Sequence, residues 1–157
     1  MRRATFTNMN CSVAQSLEII GEWWTLLIIR DALFGVTRFD DFSTRLGIAR
    51  NVLTTRLDTL IENGVMVKEP YQDKPVRYDY RLTDKGRDLW PVLVALRQWG
   101  DQWVIDGQPP VIISHRACGH TINVEPACSA CGEHLDGNSL RILPGPGATD
   151  DTPLPPR

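Results

Sequence analysis

The chain has 157 residues, of which 42% are hydrophobic and 23% charged, and its formal net charge is −2 at pH 7. This length suits one ordinary domain with a small appendage, and the composition is that of a soluble globular protein. The richest apolar run, Trp23 to Ile29, is far too short to cross a bilayer, and the first ten residues lack the apolar core of a secretory signal. The chain is therefore expected to be cytoplasmic, with no membrane partner.

The first half of the chain predicts helices in close succession. The stretch from Cys11 to Ile20 can form an amphipathic helix. The next, from Glu22 to Leu33, is apolar on almost every side, which predicts a buried helix with its adjacent tryptophans at the centre of the core. Phe39 to Leu46 is a compact helix, and Gly47 provides a turn into the helix that follows. A helix, a tight turn with glycine and a second helix have the spacing of a helix-turn-helix.

A helix over 49–63 is predicted because apolar side chains recur at i, i+4, i+7 and i+8. They are Leu53, Leu57, Leu60 and Ile61. Gly64 suits the left-handed position that follows a helix. Two alternating β-branched runs, Val65 to Pro70 and Val76 to Leu82, flank a polar loop over 71–75 and predict a β-hairpin. A polar-faced helix followed by a basic-tipped hairpin is the plan of a winged helix-turn-helix.

The polar face of helix 49–63 is predicted to enter the major groove of DNA. Asn can pair with adenine, Arg with guanine, and Thr methyl groups can contact thymine. Phosphates would be bound by the preceding helix and by the wing, residues 70–77. The predicted DNA-binding residues are Arg38, Ser43, Arg45, Arg50, Asn51, Thr54, Thr55, Arg56, Lys74 and Arg77. The plainer alternative is a solvated helix face beside an ordinary hairpin.

A long helix is predicted from Asp84 to Val104, with Thr83 as its N-cap and a kink or break at Pro91. Its apolar stripe is broader than one small domain needs. The stripe consists of Leu89, Val92, Leu93, Leu96, Trp99 and Trp103. We therefore expect a homodimer that uses this helix together with the helix from Cys11 to Ile20, and the alternative is packing on the chain's own core.

Three of the four cysteines follow a linker at residues 107–110. The segments HRACG, which starts at His115, and CSACG, which starts at Cys128, share the form ligand-x-x-Cys-Gly, which is typical of zinc knuckles. The predicted ligands of one structural Zn²⁺ are His115, Cys118, Cys128 and Cys131. His120 is an alternative fourth ligand and His134 a weaker one, and a reduced, metal-free cluster is the alternative reading. A segment with so few large apolar residues needs such a staple to fold.

Residues 11 to 103 resemble the HxlR-type bacterial transcriptional regulators, which are relatives of the MarR group. The motifs that carry the resemblance are the single Cys11, Gly21-Glu22-Trp23-Trp24, Arg38-Phe39-Asp40, Leu53-Thr54-Thr55-Arg56-Leu57, Asn63-Gly64 and Tyr80-Arg81-Leu82-Thr83-Asp84-Lys85-Gly86. The resemblance implies a homodimeric winged helix that binds a pseudo-palindromic operator. Proline often follows the N-terminal cysteine in this family, whereas Ser12 stands there in this chain.

Cys11 is a candidate redox sensor, since a free thiol near a helix start can be reactive and some family members use this cysteine in that way. A lone cysteine is more often a small buried hydrophobic residue. A redox or small-molecule effector is therefore an open possibility for the regulator.

The predicted fold class is mainly α with a small β-wing (α+β). The predicted organisation is a winged helix-turn-helix and dimerisation domain at 1–106, a linker at 107–110, a zinc-ribbon-like module at 111–136 and a disordered tail at 137–157. The predicted function is that of a sequence-specific transcriptional regulator, a repressor bound to an operator in double-stranded DNA. The alternative is a module that binds protein or a small molecule on a winged-helix scaffold without DNA. No nucleophile–base pair, phosphate loop or open metal site indicates an enzyme.

Overall fold

The computed structural model describes residues 5–155, which fall into two compact units: residues 5–89 with 143–155, and residues 90–142. The first unit contains α1 (Ser12–Ile20), α2 (Trp23–Leu33), α3 (Phe39–Leu46), α4 (Arg50–Glu62), β1 (Met66–Asp73), β2 (Val76–Leu82) and α5 (Asp84–Arg87). The second unit begins with α6 (Trp90–Trp103). The first unit is an α+β winged helix, as predicted. Over residues 5–155, no helix has the length and apolar character that crossing a membrane requires.

The core of the first unit lies under α4. The leucines predicted to face inward, Leu53, Leu57 and Leu60, are all buried, because their spacing places them on one side of the helix. Phe42 of α3 is buried as well. Each such side chain contributes about 1.5–3 kcal/mol when it leaves water. These residues hold α3 and α4 in place and leave the opposite face of α4 to solvent.

The tryptophans of α2 do not form the centre of the core, which corrects the sequence-based expectation. Trp23 is 78% exposed and Trp24 is half-buried. The buried apolar positions of this helix are Ile28 and Ile29. At roughly 100° per residue, these isoleucines lie on the side of the helix opposite to Trp23. The face that meets the core is thus set by the aliphatic residues.

The wing is a two-stranded antiparallel hairpin whose pairing runs from Met66–Leu82 to Asp73–Val76. Only Lys74 and Pro75 lie between the strands, so the loop predicted over 71–75 is too long. The register shifts between Pro70 and Gln72, which makes Tyr71 the extra residue of a β-bulge. Because of the bulge, β1 continues through the polar residues 71–73, whose composition is typical of a turn.

The helix predicted from Asp84 is interrupted before Pro91, as its sequence indicated. The short α5 has the expected cap, since the Gly86 amide donates to Thr83 Oγ1 at 3.2 Å. Helix α6 begins at Trp90, so Pro91 occupies its first turn. A proline is tolerated there because the amide it lacks would have no partner within the helix.

The chain has little regular structure beyond α6. Residues 107–142, all of which the structure describes, contain no helix and no buried residue. Two isolated β-bridges, Ser114–Thr121 and Ala127–His134, order part of this segment. The tail predicted to be disordered makes hydrogen bonds in the first unit: the Asn10 side-chain amide donates to Gly147 O, Thr149 Oγ1 and Thr152 Oγ1 at 2.9–3.0 Å.

Candidate nucleic-acid interface

Helix α4 presents a polar face to solvent, as predicted for a helix that reads DNA. Asn51, Thr54 and Thr55 are exposed on it. The Thr54 and Thr55 hydroxyls donate to the carbonyls of Arg50 and Asn51, at 2.9 and 3.0 Å. Because their protons are used within the helix, these hydroxyls present lone pairs outward. Such groups suit the amino hydrogens of adenine and cytosine, which are exposed in the major groove.

Arg50, at the start of α4, is held by a carboxylate of the preceding helix. Its Nη1 lies 2.6 Å from Asp40 Oδ1, and its guanidinium carbon lies 4.7 Å from the centre of the Phe39 ring. Both charged side chains are largely exposed, at 69% and 72%. An exposed pair of this kind contributes about 0–1 kcal/mol to stability. A DNA phosphate can therefore displace the Asp40 carboxylate at little cost.

Replacing Asp40 by asparagine should raise affinity for DNA by roughly fivefold, because Arg50 loses its competing carboxylate and one repulsive charge is removed. Fluorescence anisotropy with a labelled duplex measures the change. Asp41→Asn is the matched control, since Asp41 is an exposed neighbour in α3 that makes no ion pair within the described part of the chain. Equal gains in the two variants would show that general charge, and not release of Arg50, is responsible.

Arg38 connects the start of α3 to the wing. Its Nε lies 2.8 Å from Asp79 Oδ1, and its guanidinium carbon lies 3.1 Å from the centre of the Tyr71 ring. Asp79 is buried and also accepts a hydrogen bond from Arg81 Nη2 at 3.0 Å. The Tyr80 amide adds a hydrogen bond to the Thr37 carbonyl at 2.8 Å. These contacts fix the wing against α3, so that helix and hairpin form one surface.

Three more predicted contacts have partners within the fold. Arg45 Nε lies 3.2 Å from Oδ2 of the fully buried Asp31. Arg56 Nη2 lies 3.5 Å from Glu22 Oε2, and only 20% of the Arg56 side chain is exposed. The Ser43 hydroxyl donates to the Ile48 carbonyl at 3.2 Å. Arg45 and Arg56 therefore support the fold, and contacts of all three residues with DNA stay predictions.

Two cations at the wing tip have no partner among the described residues. Lys74 and Arg77 are exposed, and over residues 5–155 neither side chain makes a hydrogen bond or an ion pair. An open groove of about 350 Å³ lies between the wing and the starts of α3 and α4. Its lining includes Arg38, Arg50, Tyr71, Arg77 and Tyr78. A groove with three arginines on aromatic walls suits an anionic backbone such as a DNA strand.

Sequence reasoning missed the residues that position the arginines: Phe39, Asp40 and Tyr71, which line the groove, and the buried Asp79. The sequence gives only a weak indication of the aspartates that pair with these arginines. Asp79 stands between Tyr78 and Tyr80, where a carboxylate is rarely buried without a cation, and Asp31 follows Arg30, with which it pairs at 2.8 Å. No sequence pattern indicated which arginine each would meet.

Cys11 is the N-cap residue of α1, half-buried and without a disulfide. It follows Asn10, whose side-chain amide makes the three hydrogen bonds with the tail. Its suggested role as a redox sensor stays a prediction.

The four predicted metal ligands lie in two pairs. His115 Nδ1 is 3.1 Å from Cys118 Sγ. The backbone amides of Cys131 and Ala130, with the Cys131 thiol, donate toward the Cys128 sulfur and lower the pKa of that thiol. Over residues 5–155, no three His, Cys, Asp or Glu side chains are gathered into one metal-binding group. The structure thus places the four residues in two separate turns, and their binding of zinc stays a prediction.

Comparisons with known proteins agree with this geometry. A sequence model of the HxlR-like helix-turn-helix family matches residues 19–108. Rv3095, an uncharacterized HTH-type transcriptional regulator of Mycobacterium tuberculosis, is 43% identical over 137 residues, which cover 87% of each chain. YvaP, an uncharacterized HTH-type transcriptional regulator of Bacillus subtilis, is 33% identical and covers 57% of this chain and 84% of its own.

Solved structures extend the comparison. The crystal structure of PA1607, a candidate transcription factor, matches with a TM-score of 0.80 and 38% sequence identity. The match covers 89% of this chain and 99% of the PA1607 chain. The redox regulator HypR in its reduced form has a TM-score of 0.54 and 30% identity, and it covers 57% of this chain and 90% of its own. A match of 137 residues, as with Rv3095, must continue past residue 136 and so includes the segment after α6.

Proposed function

The chain belongs to the HxlR-like helix-turn-helix family and is a DNA-binding transcriptional regulator, not an enzyme, and we propose that it represses transcription as a homodimer on a pseudo-palindromic operator. The protein is expected to act in the cytoplasm. Its operator is expected near its own gene. A reporter driven by that upstream region tests the sign of regulation. Expression should rise when the protein is removed, and a fall would identify an activator.

One observation supports the proposed reading of DNA above all others: Arg50, at the start of the exposed helix α4, and Arg77, in the wing, line the same open groove. In this proposal α4 lies in the major groove, with Asn51, Thr54 and Thr55 at base edges. Lys74 and Arg77 bind the phosphates or the adjacent minor groove. Arg38 holds the wing against the start of α3, the helix that precedes α4, through its contacts with Asp79 and Tyr71.

Replacing Lys74 and Arg77 together by alanine should lower operator affinity by at least tenfold at physiological salt. The slope of log affinity against log salt should fall by about 2, because each lost phosphate contact removes about one released counterion. Mobility shift over a salt series measures both quantities. Arg87→Ala is the control, since Arg87 is an exposed cation already paired with Asp84 at 3.3 Å. A double variant with the wild-type slope would exclude the wing tip as a phosphate contact.

The homodimer is proposed from apolar side chains that the structure leaves exposed. On α6 these are Trp90, Val92, Leu96, Trp99 and Trp103. On α1, Val13 and Leu17 are exposed as well. A soluble chain rarely leaves several tryptophans on one helix in water unless a partner covers them. Two copies also match the two-fold symmetry of a palindromic operator.

We also propose that residues 111–136 form a zinc-ribbon-like module with one structural Zn²⁺. The supporting observation is that residues 107–142 contain no buried side chain, so packing alone does not explain the ordered turns at His115 and Cys128. The match with Rv3095 includes this segment, so the segment has a counterpart in that relative. Less than about half an equivalent of zinc per purified chain would contradict the proposal.

A further inference from the structure

Asp79 is a carboxylate of β2 whose side chain is only 9% exposed. A buried carboxylate destabilises a fold unless cations lie beside it. Two arginines meet this need: Arg38 Nε lies 2.8 Å from Oδ1, and Arg81 Nη2 lies 3.0 Å from Oδ2. Arg38 is the residue at which α3 begins, whereas Arg81 belongs to the wing itself. The carboxylate therefore connects α3 to the wing.

Backbone contacts place Asp79 at the attachment of the wing. Arg38 and Asp79 form an isolated antiparallel β-bridge, and the Tyr80 amide donates to the Thr37 carbonyl at 2.8 Å. The guanidinium carbon of Arg38 also lies 3.1 Å from the centre of the ring of Tyr71, the bulged residue of β1. One arginine thus contacts both strands of the wing, and Asp79 fixes the position of that arginine.

Arg81 extends the ion pairs across the hairpin. Glu69 of β1 is the register partner of Asp79, so two carboxylates stand directly opposite each other. Like charges in that arrangement destabilise a sheet. Arg81 Nε lies 3.3 Å from Glu69 Oε2 while its Nη2 contacts Asp79, so this cation offsets the repulsion. Asp79 therefore has a cation on the side of α3 and another within the hairpin.

The cations at the wing tip belong to the same hairpin. Side chains two residues apart in a strand point to the same face, so Arg77 lies on the face of β2 that carries Asp79. Lys74 lies between the two strands, at the tip. The position of both cations relative to α4 is therefore set where the hairpin is attached to α3, and the Arg38–Asp79 pair lies at that attachment.

We propose that Asp79 is a positioning residue for DNA binding: through Arg38 it holds the wing where Lys74 and Arg77 reach the DNA backbone while α4 lies in the major groove. This inference rests on the wing-tip contacts of the proposed function. A negative charge near DNA ordinarily weakens binding, so its removal raises affinity. For Asp79 the expected sign is the opposite. An amide has one acceptor oxygen where the carboxylate has two, so one arginine loses its partner and the wing is released.

Asp79→Asn should lower operator affinity about fivefold and reduce the slope of log affinity against log salt, because phosphate contacts of the wing tip are lost. Asp40→Asn, which removes the same charge from the lining of the groove, should raise affinity instead. Mobility shift over a salt series measures both variants, and circular dichroism checks that they are folded. In a chain that already carries Lys74→Ala and Arg77→Ala, Asp79→Asn should cause no further loss, because the cations that it positions are gone.

Arg38→Lys is a second variant, which tests the same connection if Asp79→Asn does not fold. Lysine keeps the positive charge and binds phosphate as a point charge, but it lacks the planar group that reaches Asp79 while lying on the Tyr71 ring. The expected result is a loss of affinity like that of Asp79→Asn, again absent when Lys74 and Arg77 are alanine. Wild-type affinity in Arg38→Lys would show that Arg38 acts only as a charge, and would overturn the inference.

The outcomes separate this inference from the proposed function. A Lys74→Ala, Arg77→Ala chain with wild-type affinity overturns both, since the wing tip then makes no contact with DNA. If that chain loses affinity while Asp79→Asn binds as tightly as the wild type or more tightly, only the positioning role of Asp79 is overturned. That role is also overturned if the loss in Asp79→Asn adds in full to the loss in the double variant, because Asp79 would then act at another part of the interface.

Discussion

Alanine at Gly86 should lower the free energy of unfolding by about 3 kcal/mol, because the space beside this glycine is filled by backbone. A Cβ atom there would lie 2.2 Å from the Val65 carbonyl oxygen and 2.9 Å from Leu82 Cδ2. The Leu82 side chain can move, whereas the Val65 carbonyl accepts hydrogen bonds from the Thr83 amide and hydroxyl, both at 3.1 Å. Relieving the clash therefore disrupts the junction between α4, the wing and α5.

Urea unfolding followed by circular dichroism measures this loss. Gly100→Ala is the matched control, since Gly100 lies within α6 and a Cβ there would meet nothing within 4 Å. Alanine is favoured over glycine inside a helix, so the control should be neutral or more stable by up to about 1 kcal/mol. If Gly86→Ala unfolds at the same urea concentration as the control, the close approach of Val65 has no energetic consequence.

The elements of the winged helix were predictable because local patterns determine them. The leucine repeat of α4 and the cap at Thr83 act over a few residues, and both were confirmed. The length of the hairpin loop could not be predicted from local pattern, because the bulge at Tyr71 depends on pairing with β2 and on the contact with Arg38. The position of Trp23 was predicted wrongly because an all-apolar helix has no periodicity that identifies its buried face.

The candidate site was predictable in its polar residues and not in its ion pairs. The helix-turn-helix and hairpin pattern indicated which arginines and polar residues lie on the predicted DNA-binding surface. The partner of each depends on contacts between distant residues, such as Arg45 with Asp31 and Arg38 with Asp79. Those pairings divide the predicted cations into two groups. One group has acidic partners and consists of Arg38, Arg45, Arg50 and Arg56, whereas over residues 5–155 the side chains of Lys74 and Arg77 have none.

Glutamate at both Trp99 and Trp103 should convert the proposed homodimer into a monomer and lower operator affinity by at least 100-fold. The two indoles are 57% and 69% exposed on α6, four residues apart on one face. Burying a glutamate in an apolar interface costs several kcal/mol, so the double substitution is expected to prevent association. A monomer binds one half-site and loses the gain of 10²–10⁴ that joining two binding units typically provides.

Sedimentation equilibrium measures the association, and mobility shift on the full operator and on a single half-site measures binding. The monomeric variant should bind the half-site with wild-type affinity and lose only the additional affinity for the palindrome, because α4 and the wing are unchanged. Trp23→Glu is the control, since Trp23 is more exposed than either residue but lies on α2. A Trp99→Glu, Trp103→Glu chain that remains dimeric would exclude the α6 face as the interface. If Trp23→Glu dissociated the dimer equally, the interface would have to include α2.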